Sequence, residues 1–305
     1  MKALITGSLG FVGYYLRKEL EQNGYDVIGL DVREGERTVV CDLLDAEQTF
    51  QTIQQIQPEI VIHLAGQADV GKSWKIPQKT IEINVIAAIN LMEAIRAIAL
   101  KTRLVLVGSS DEYGQLGELG ADVKETIPLN PQTPYAVSKL AQEQMAGVYV
   151  RAYGMNICMT RSFNHGGAGQ REGFLIPDFA SGVARVEKGM ASCLKVGNLE
   201  SRRDFTHVRD VVRAYRLIAE KGKPGEIYNV GSGKTYSAQE ILDALLGMAC
   251  CEIPVEQDPA RMRPSDTPVI CCNHEKLTHD TGWEPELGLE QILADVLTEW
   301  REKLI

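Results

Sequence analysis

A tyrosine and a lysine four residues apart could carry acid–base chemistry in this 305-residue chain. Tyr135 and Lys139 follow Pro134 in the stretch PYAVSK, which predicts the first turn of a helix. Residues at this spacing share one face of a helix, so the lysine ammonium would lie near the phenol. A cation there favours the phenolate, lowers the pKa of the tyrosine and makes it a usable acid or base near neutral pH. The pattern is common on protein surfaces, so its position in the fold must decide its meaning.

The segment before this pair supplies further polar groups. An apolar run ends in VGSSDEYG at residues 107–114, which contains two serine hydroxyls and two carboxylates. The carboxyl ends of parallel strands form the edge at which open α/β sheets bind ligands. The sequence therefore predicts that the tyrosine–lysine pair lies close to these hydroxyls and carboxylates.

A glycine-rich turn near the N-terminus predicts a dinucleotide site. In the sequence LITGSLGFVG, Gly7 permits the turn out of a strand, Gly10 lets a ligand approach the backbone and Gly13 lets the helix pack against the sheet. The N–H groups that open the helix, at Phe11 and Val12, favour a pyrophosphate because the helix dipole adds partial positive charge there. A glycine triplet alone also fits an ordinary turn.

Asp31 indicates which dinucleotide would bind. It follows Gly-Leu at the end of the second predicted strand, where a carboxylate accepts hydrogen bonds from an adenosine ribose and repels a 2′-phosphate. This favours NAD(H). Arg33 and Arg37 keep NADP(H) open, because a guanidinium can hold the additional phosphate. The alternative for Asp31 is a solvated loop acid.

Two further segments are predicted to line the cofactor site. Asp42 and Leu43 follow the third predicted strand and would border the adenine. Small residues at the carboxyl end of a strand leave space for a ligand in the crevice of the sheet. Such a segment follows the fourth predicted strand and comprises Leu64, Ala65, Gly66 and Gln67.

Apolar runs that alternate with helical periodicity predict an α/β fold. The predicted strands, which suit a sheet covered on both faces, are 3–6, 27–30, 38–40, 60–64, 104–107 and 156–160. The predicted helices between them are 11–23, 46–57, 80–99 and 135–153. We expect a Rossmann-type doubly wound parallel sheet with a smaller C-terminal substrate-binding lobe. The dinucleotide-binding domain is assigned to 1–162, with 204–226 returning to it, and the lobe mainly to 163–203 and 227–305.

Composition limits the partners and the compartment. The net charge of −9 argues against nucleic acid, because no basic excess is available to neutralise phosphates. The seven cysteines are odd in number and lack a Cys-x-x-Cys pair, which fits neither a disulfide framework nor a metal site. The sequence has no apolar leader and no run of membrane-spanning length. We expect a cytoplasmic protein with reduced thiols and no membrane partner.

Motifs along nearly the whole chain resemble the extended short-chain dehydrogenase/reductase family that acts on nucleotide sugars. They are TGSLGFVG, HLAGQADVGKSW, GSSDEYG, PYAVSK, SFNHGGAGQ, VGNLESRRDFTHVRD and RPSD. The stretches AGQ, VGNLE and RPSD are most similar to the branch of the family that acts on GDP-mannose and its derivatives.

The resemblance implies that Ser109, Tyr135 and Lys139 form a catalytic triad. The tyrosine would exchange a proton with a sugar hydroxyl or keto oxygen, the lysine would hold the nicotinamide ribose, and the serine would orient the substrate oxygen. Asn84 resembles the asparagine that supports this arrangement from a neighbouring helix. The resemblance also implies a homodimer formed by pairing helices 84–99 and 135–153.

The implied small-molecule partner is a nucleotide-diphosphate sugar, with a GDP-sugar favoured. Arginine suits its phosphates because the planar guanidinium binds them in a bidentate way. The residues that the resemblance assigns to the substrate are Ser73, Ser110, Asp111, Asn164, Arg185, Lys195, Arg203, Arg263 and Asp266. Asp204 and Asp210 are expected to orient these arginines and the backbone.

Three functions follow from the resemblance. The favoured one is reduction of the C4 ketone of a GDP-4-keto-6-deoxyhexose by NAD(P)H. The second is a 4,6-dehydratase acting on GDP-mannose, or another dehydratase or epimerase of the same fold, whose glutamate base aligns here with the shorter Asp111. The third is a non-catalytic sensor, which would not need the triad.

Overall fold

Buried apolar strands form a seven-stranded parallel sheet at the centre of the protein. The computed structural model describes residues 1–98, 101–259 and 269–304. The strands are β1 (Lys2–Thr6), β2 (Asp26–Asp31), β3 (Thr38–Val40), β4 (Ile60–His63), β5 (Arg103–Ser109), β6 (Ile157–Ser162), β7 (Asn164–Gly166), β8 (Leu194–Val196), β9 (Arg202–His207), β10 (Ile227–Val230), β11 (Thr235–Ser237), β12 (Val255–Gln257) and β13 (Val269–Ile270). The central sheet has the order β10-β6-β5-β4-β1-β2-β3, and every neighbouring pair in it is parallel.

Helices cover both faces of this sheet. They are α1 (Phe11–Gln22), α2 (Ala46–Ile56), α3 (Val70–Lys75), α4 (Pro77–Ile81), α5 (Ala87–Ile98), α6 (Pro134–Tyr153), α7 (Leu175–Glu187), α8 (Val208–Lys221), α9 (Ala238–Gly247), α10 (Glu275–Thr281) and α11 (Leu289–Lys303). α1 and α8 share one apolar core with the sheet, and α2, α5 and α6 share the other. No helix within the described ranges is both long and apolar enough to cross a membrane.

The second lobe has its own apolar core between α7, α9 and α11. Two small sheets complete it. β9 lies between β11 and β13 and also pairs with β7, while β8 pairs with β12. The lobe therefore packs its helices against short strands, beside the parallel sheet.

The predicted α/β fold with a doubly wound parallel sheet is confirmed, and two details differ from the sequence expectation. The predicted helix 80–99 is interrupted by a π-helical turn at Glu82–Ile86, after which α5 begins. The predicted domain division assigns residues 227–305 mainly to the lobe, and within this range β10 pairs with β6 in the central sheet. The sequence of β10, IYNV, is short and contains a buried asparagine, so its apolar pattern does not indicate a strand of the central sheet.

Asp204 on β9 joins the lobe to the central sheet. Its buried carboxylate accepts hydrogen bonds from the backbone N–H groups of Ser232 at 2.8 Å, Gly233 at 2.8 Å and Cys272 at 3.1 Å. It also accepts the Ser232 hydroxyl at 2.7 Å. Asp204 therefore orients backbone N–H groups, as the sequence predicts. None of these hydrogen-bond partners is an arginine.

We expect Asp204→Ala to lower the free energy of unfolding by about 3 kcal/mol or more, because buried donors lose their acceptor. Urea denaturation followed by tryptophan fluorescence measures the change. The exposed Asp243, which accepts only a neighbouring glutamine amide on α9, provides the control: Asp243→Ala should stay within about 0.5 kcal/mol. Equal losses of unfolding free energy in the two variants would contradict the conclusion that Asp204 joins the lobe to the central sheet.

Candidate active site

The glycine-rich turn is tight and brings three segments together. Gly7 has a φ of +69°, and a Cβ there would lie 2.9 Å from the backbone nitrogen of Ala65. A Cβ on Gly13 would lie 2.6 Å from the Gly7 carbonyl oxygen, so this glycine packs against the turn itself. The start of α1 consequently lies beside the carboxyl ends of β1 and β4.

The residues around this turn fit an anionic dinucleotide. Gly10 is the N-cap of α1, no side chain caps the helix, and no acidic residue occupies its first turn, which includes Phe11 and Val12. A Cβ on Gly10 would meet only the Gly7 carbonyl within 4 Å, so the space beside it is open. Within the described residues, Ser8 Oγ and His63 Nε2 are buried without a hydrogen-bond partner. Free helix N–H groups are suitable ligands for a pyrophosphate.

Asp31 is held at the end of β2 and is only 8% exposed, which excludes a solvated loop acid. One carboxylate oxygen accepts the Leu9 N–H at 3.1 Å, and the other accepts Arg33 N–H at 3.2 Å and Arg33 Nε at 3.1 Å. The Arg33 side chain is 63% exposed. A carboxylate and an adjacent guanidinium therefore lie together next to the glycine turn.

Asp42 and Leu43 form the turn between β3 and α2. Asp42 is exposed and its carboxylate accepts the Leu44 N–H at 3.0 Å. Leu43 is buried, and its carbonyl accepts Asn90 Nδ2 at 2.8 Å. This turn follows the edge strand β3, which β1 and β2 separate from β4 in the sheet order.

Asn84 connects the loop after β4 to the catalytic helix. It lies in the π-helical turn and is completely buried. Its Oδ1 accepts the Gln67 N–H at 2.7 Å, and its Nδ2 donates to the Gln67 carbonyl at 3.1 Å and to Ser138 Oγ at 2.8 Å. A Cβ on Gly66 would lie 3.1 Å from Asn84 Oδ1 and 3.7 Å from Lys139 Nζ. The predicted cofactor loop, which runs from Leu64 to Gln67, is thus next to the predicted catalytic lysine.

The helix α6 starts with Tyr135 in its first turn. The Thr133 hydroxyl accepts the Ala136 N–H at 3.0 Å, which caps the helix, and Pro134 provides a φ already suited to it. The Tyr135 side chain is buried and hydrogen-bonded to Ser109, the last residue of β5. Lys139 Nζ donates to the Val107 carbonyl at 2.8 Å and to Gln142 Oε1 at 3.1 Å. The structure therefore brings all three predicted catalytic residues to the carboxyl edge of β5.

The acidity of Tyr135 differs from the sequence expectation. Burial raises the pKa of Tyr135, the neighbouring Asp111 raises it further, and the hydrogen bond from Ser109 lowers it. Burial also lowers the pKa of Lys139 to about 8. The predicted lowering of the Tyr135 pKa is therefore wrong for this structure, because desolvation of the phenol and the negative charge of Asp111 raise this pKa. At neutral pH Tyr135 is a protonated phenol.

The predicted substrate residues near the triad have different surroundings. Ser110 is buried in the 3₁₀ turn Ser110–Tyr113, and Asp111 in the same turn is close enough to affect Tyr135. Ser73 is completely buried and its hydroxyl donates to the Val70 carbonyl at 2.6 Å, so it offers no free donor to a sugar.

The remaining predicted substrate residues belong to the second lobe. Asn164 on β7 and Lys195 on β8 are exposed. Arg185 on α7 is paired with Glu172 at 2.9 Å, and Arg203 on β9 donates to the Arg202 carbonyl at 2.9 Å. The predicted residues that lie outside the described residues are Arg263 and Asp266.

Two residues of the site escaped the sequence analysis. Ser138 accepts the Asn84 amide, and Gln142 accepts the Lys139 ammonium. They lie three and seven positions after Tyr135, so the helical spacing already placed them on the same face. The loop after β7 also crosses to the sheet domain, where exposed Arg171 pairs with Asp69 at 3.2 Å.

Comparisons with known proteins agree with this geometry. The profile of the family described as GDP-mannose 4,6 dehydratase matches residues 4–296. GDP-6-deoxy-D-mannose reductase from Pseudomonas aeruginosa is 34% identical over 304 residues, which cover 99% of this chain and 98% of the relative.

Solved structures are similar over the same length. The structure of RMD from Pseudomonas aeruginosa complexed with NADPH has a TM-score of 0.89 and 32% identity, covering 99% of both chains. That of UDP-glucose 4-epimerase from Thermus thermophilus, complexed with NAD, has a TM-score of 0.87 and 29% identity, also covering 99% of both. The chain belongs to the GDP-mannose 4,6-dehydratase family of extended short-chain dehydrogenases/reductases.

Proposed function

We propose that this protein is a nucleotide-sugar oxidoreductase that reduces the C4 ketone of GDP-4-keto-6-deoxy-D-mannose to give GDP-D-rhamnose. The observation that carries the proposal is the meeting of Ser109, Tyr135 and Lys139 at the carboxyl edge of β5, next to the loop after β4. The similarity to GDP-6-deoxy-D-mannose reductase over the whole chain supports the choice of substrate. A nicotinamide dinucleotide supplies the hydride when bound, held by the glycine turn, Asp31 and the loop after β4.

In this reaction Tyr135 donates its proton to the keto oxygen of the sugar. At neutral pH the phenol carries the proton that a general acid must supply. Ser109, already bonded to Tyr135, orients the same oxygen. The Lys139 ammonium donates to the Val107 carbonyl and to Gln142, and its positive charge stabilises the phenolate that Tyr135 leaves behind.

The nucleotide of the substrate is proposed to bind to the second lobe. Cationic side chains on β8 and β9, Lys195 and Arg203, suit its diphosphate, with Arg185 on α7 and Asn164 on β7 as further contacts. The carboxylate of Asp111 and the hydroxyl of Ser110, in the turn after β5, suit the sugar.

A second candidate, GDP-mannose 4,6-dehydratase, is favoured by the family profile. It requires a base that removes the C5 proton, and Asp111 near Tyr135 is the available carboxylate. A dehydratase takes back the hydride that it removes, so it consumes no external reductant. A reductase consumes one equivalent for each turnover. The two functions therefore differ in a measurable stoichiometry.

We expect the purified protein to oxidise NADH or NADPH in the presence of GDP-4-keto-6-deoxy-D-mannose, measured by loss of nicotinamide absorbance. Tyr135→Phe should lower kcat by at least about 100-fold, because the proton donor is removed without a change in shape. Tyr153→Phe, at the exposed end of the same helix, is the matched control and should keep full activity. Consumption of GDP-mannose without added cofactor would instead support the dehydratase.

The preference between cofactors is proposed to be NAD(H), with NADP(H) also accepted. Asp31 favours an adenosine ribose with two free hydroxyls, and Arg33 bonded to it supplies a cation that tolerates a 2′-phosphate. The relatives bind either form, NADPH in one and NAD in the other.

Asp31→Ala should raise the ratio of kcat/KM for NADPH to that for NADH by about tenfold, because about 1.4 kcal/mol of repulsion corresponds to this factor. Asp243→Ala, at an exposed position of α9 in the second lobe, should leave the ratio unchanged. The ratio comes from initial rates with each cofactor. An unchanged ratio in the Asp31 variant would contradict its role as the selector.

We also infer that the protein forms a homodimer through α5 and α6. The π-helical turn before α5 exposes Ile86, and α6 exposes Val137 and Val148. Apolar side chains gathered on one surface indicate an interface.

Light scattering coupled to size-exclusion chromatography should give twice the mass of one chain. Val148→Arg should shift the protein to the monomer mass, because a buried unpaired charge opposes association. Val255→Arg, at an exposed apolar position of the second lobe, should keep the dimer mass. A wild-type monomer would contradict the inference.

A further inference from the structure

Glu112 is a buried acid that the proposed reaction does not use. It lies in the 3₁₀ turn after β5, and its side chain is 0% exposed. Its Oε1 accepts the Ser109 N–H at 2.8 Å, which completes a capping box with the Ser109 side chain. A Cβ on Gly108 would lie 2.6 Å from this oxygen, so the carboxyl fits against a strand position that has no side chain.

The cation nearest to Glu112 is the Arg161 guanidinium, which another acid already binds. Arg161 on β6 donates from Nε and Nη2 to the two carboxylate oxygens of Glu143 on α6, both at 2.8 Å. Its Nη1 donates to the Tyr113 hydroxyl and the Glu125 carbonyl. Glu112 Oε2 lies 3.9 Å from Arg161 Nε and, within the described residues, has no hydrogen-bond partner. Two buried carboxyl groups thus face one guanidinium, which binds only one of them.

This arrangement favours a proton on Glu112. A buried carboxylate without a hydrogen-bonded cation is costly, whereas a neutral carboxylic acid is not. Burial raises the pKa of Glu112 to about 8, with a further contribution from the negative charge of Glu143 that the Ser109 N–H, Arg161 and Lys139 oppose. Paired acids in different surroundings commonly divide in this way, one ionised and one neutral.

The charge of Glu112 affects both groups that handle the proton. Ionised Glu112 raises the pKa of Lys139 and the pKa of Tyr135. A negative charge on Glu112 disfavours the Tyr135 phenolate, because the two charges repel each other. Neutral Glu112 removes this repulsion.

We propose that Glu112 is a positioning residue that holds a proton beneath the active site. As a neutral carboxylic acid it fixes the Ser109 turn, and its ionisation makes Tyr135 a weaker proton donor. The effect of Glu112 on Tyr135 as a proton donor rests on the proposed function, whereas the protonation of Glu112 does not.

Unfolding measurements with Glu112→Gln test the protonation, because glutamine keeps the acceptor for Ser109 and cannot ionise. A glutamate of ordinary pKa, 4.5, loses its proton in the unfolded chain well before Glu112 does in the folded protein at about 8. Between these values the folded state binds a proton that the unfolded state has released, so wild-type stability falls with rising pH relative to the variant.

The ratio of the two unfolding equilibrium constants should change by about tenfold per pH unit in this window and level off above it. Glu275→Gln, whose carboxylate is 78% exposed, is the control and should show no such trend. A ratio that does not depend on pH for Glu112→Gln would overturn the proposal.

The kinetic test compares pH profiles of kcat for ketone reduction. Glu112 and Lys139 both have a pKa of about 8, so log kcat of the wild-type protein should fall with a limiting slope of about −2 at alkaline pH, whereas Glu112→Gln keeps only the Lys139 ionisation and should fall with a slope of about −1. Glu112→Leu loses the acceptor for Ser109, so its kcat should be low at every pH. An unchanged alkaline fall in Glu112→Gln would overturn the kinetic role.

The two measurements separate this proposal from the proposed function. Absence of ketone reduction by the wild-type protein would overturn the function and the kinetic role together, while the unfolding data would still decide the protonation. Infrared difference spectra of the wild-type protein serve if Glu112→Gln does not fold. A protonated-carboxyl band should disappear between pH 7 and pH 9, and absence of this band at pH 7 would overturn the proposal.

Discussion

The amide group of Asn84 is the contact on which the site depends. Its oxygen and nitrogen bind both backbone groups of Gln67, and the nitrogen also reaches the hydroxyl of Ser138. One side chain therefore fixes the distance between the loop that follows β4 and the helix that carries Tyr135 and Lys139. Because the amide is buried, the loss of any of these bonds would leave polar groups without partners in a region that excludes water. The relative position of the predicted cofactor loop and the proton donor follows from this constraint.

The π-helical turn explains how an asparagine reaches this position. One turn with wider hydrogen bonding rotates the side chains that precede it relative to those of α5. Asn84 then points into the sheet edge while α5 packs its apolar residues, among them Leu91 and Ile95, against the core. A regular helix over the same residues could not satisfy both requirements with this sequence.

Much of the site could be predicted from the spacing of residues along the chain. The rest depends on which side chains the fold brings next to each residue. The turn at Gly7 and the tyrosine–lysine pair on α6 follow from separations of three and four residues, which the sequence displays directly. The acidity of Tyr135 was misjudged because the sequence shows its cationic neighbour and not the extent of its burial. Likewise Glu112 looks like a surface acid in the sequence, and only the folded chain shows that Glu143 takes the nearest guanidinium. The strand β10 was missed as part of the sheet because its pairing with β6 is decided by distant residues.

Two of the contacts between the second lobe and the sheet domain differ in strength. On one side the carboxylate of Asp204 is buried under three backbone amides, and separating it would expose all of them. On the other side Arg171 and Asp69 meet in water, where an ion pair contributes about 0–1 kcal/mol and is screened by salt. A rise in ionic strength therefore weakens the Arg171–Asp69 contact and leaves the buried Asp204 contact almost unchanged, so salt loosens the junction at one place and not at the other.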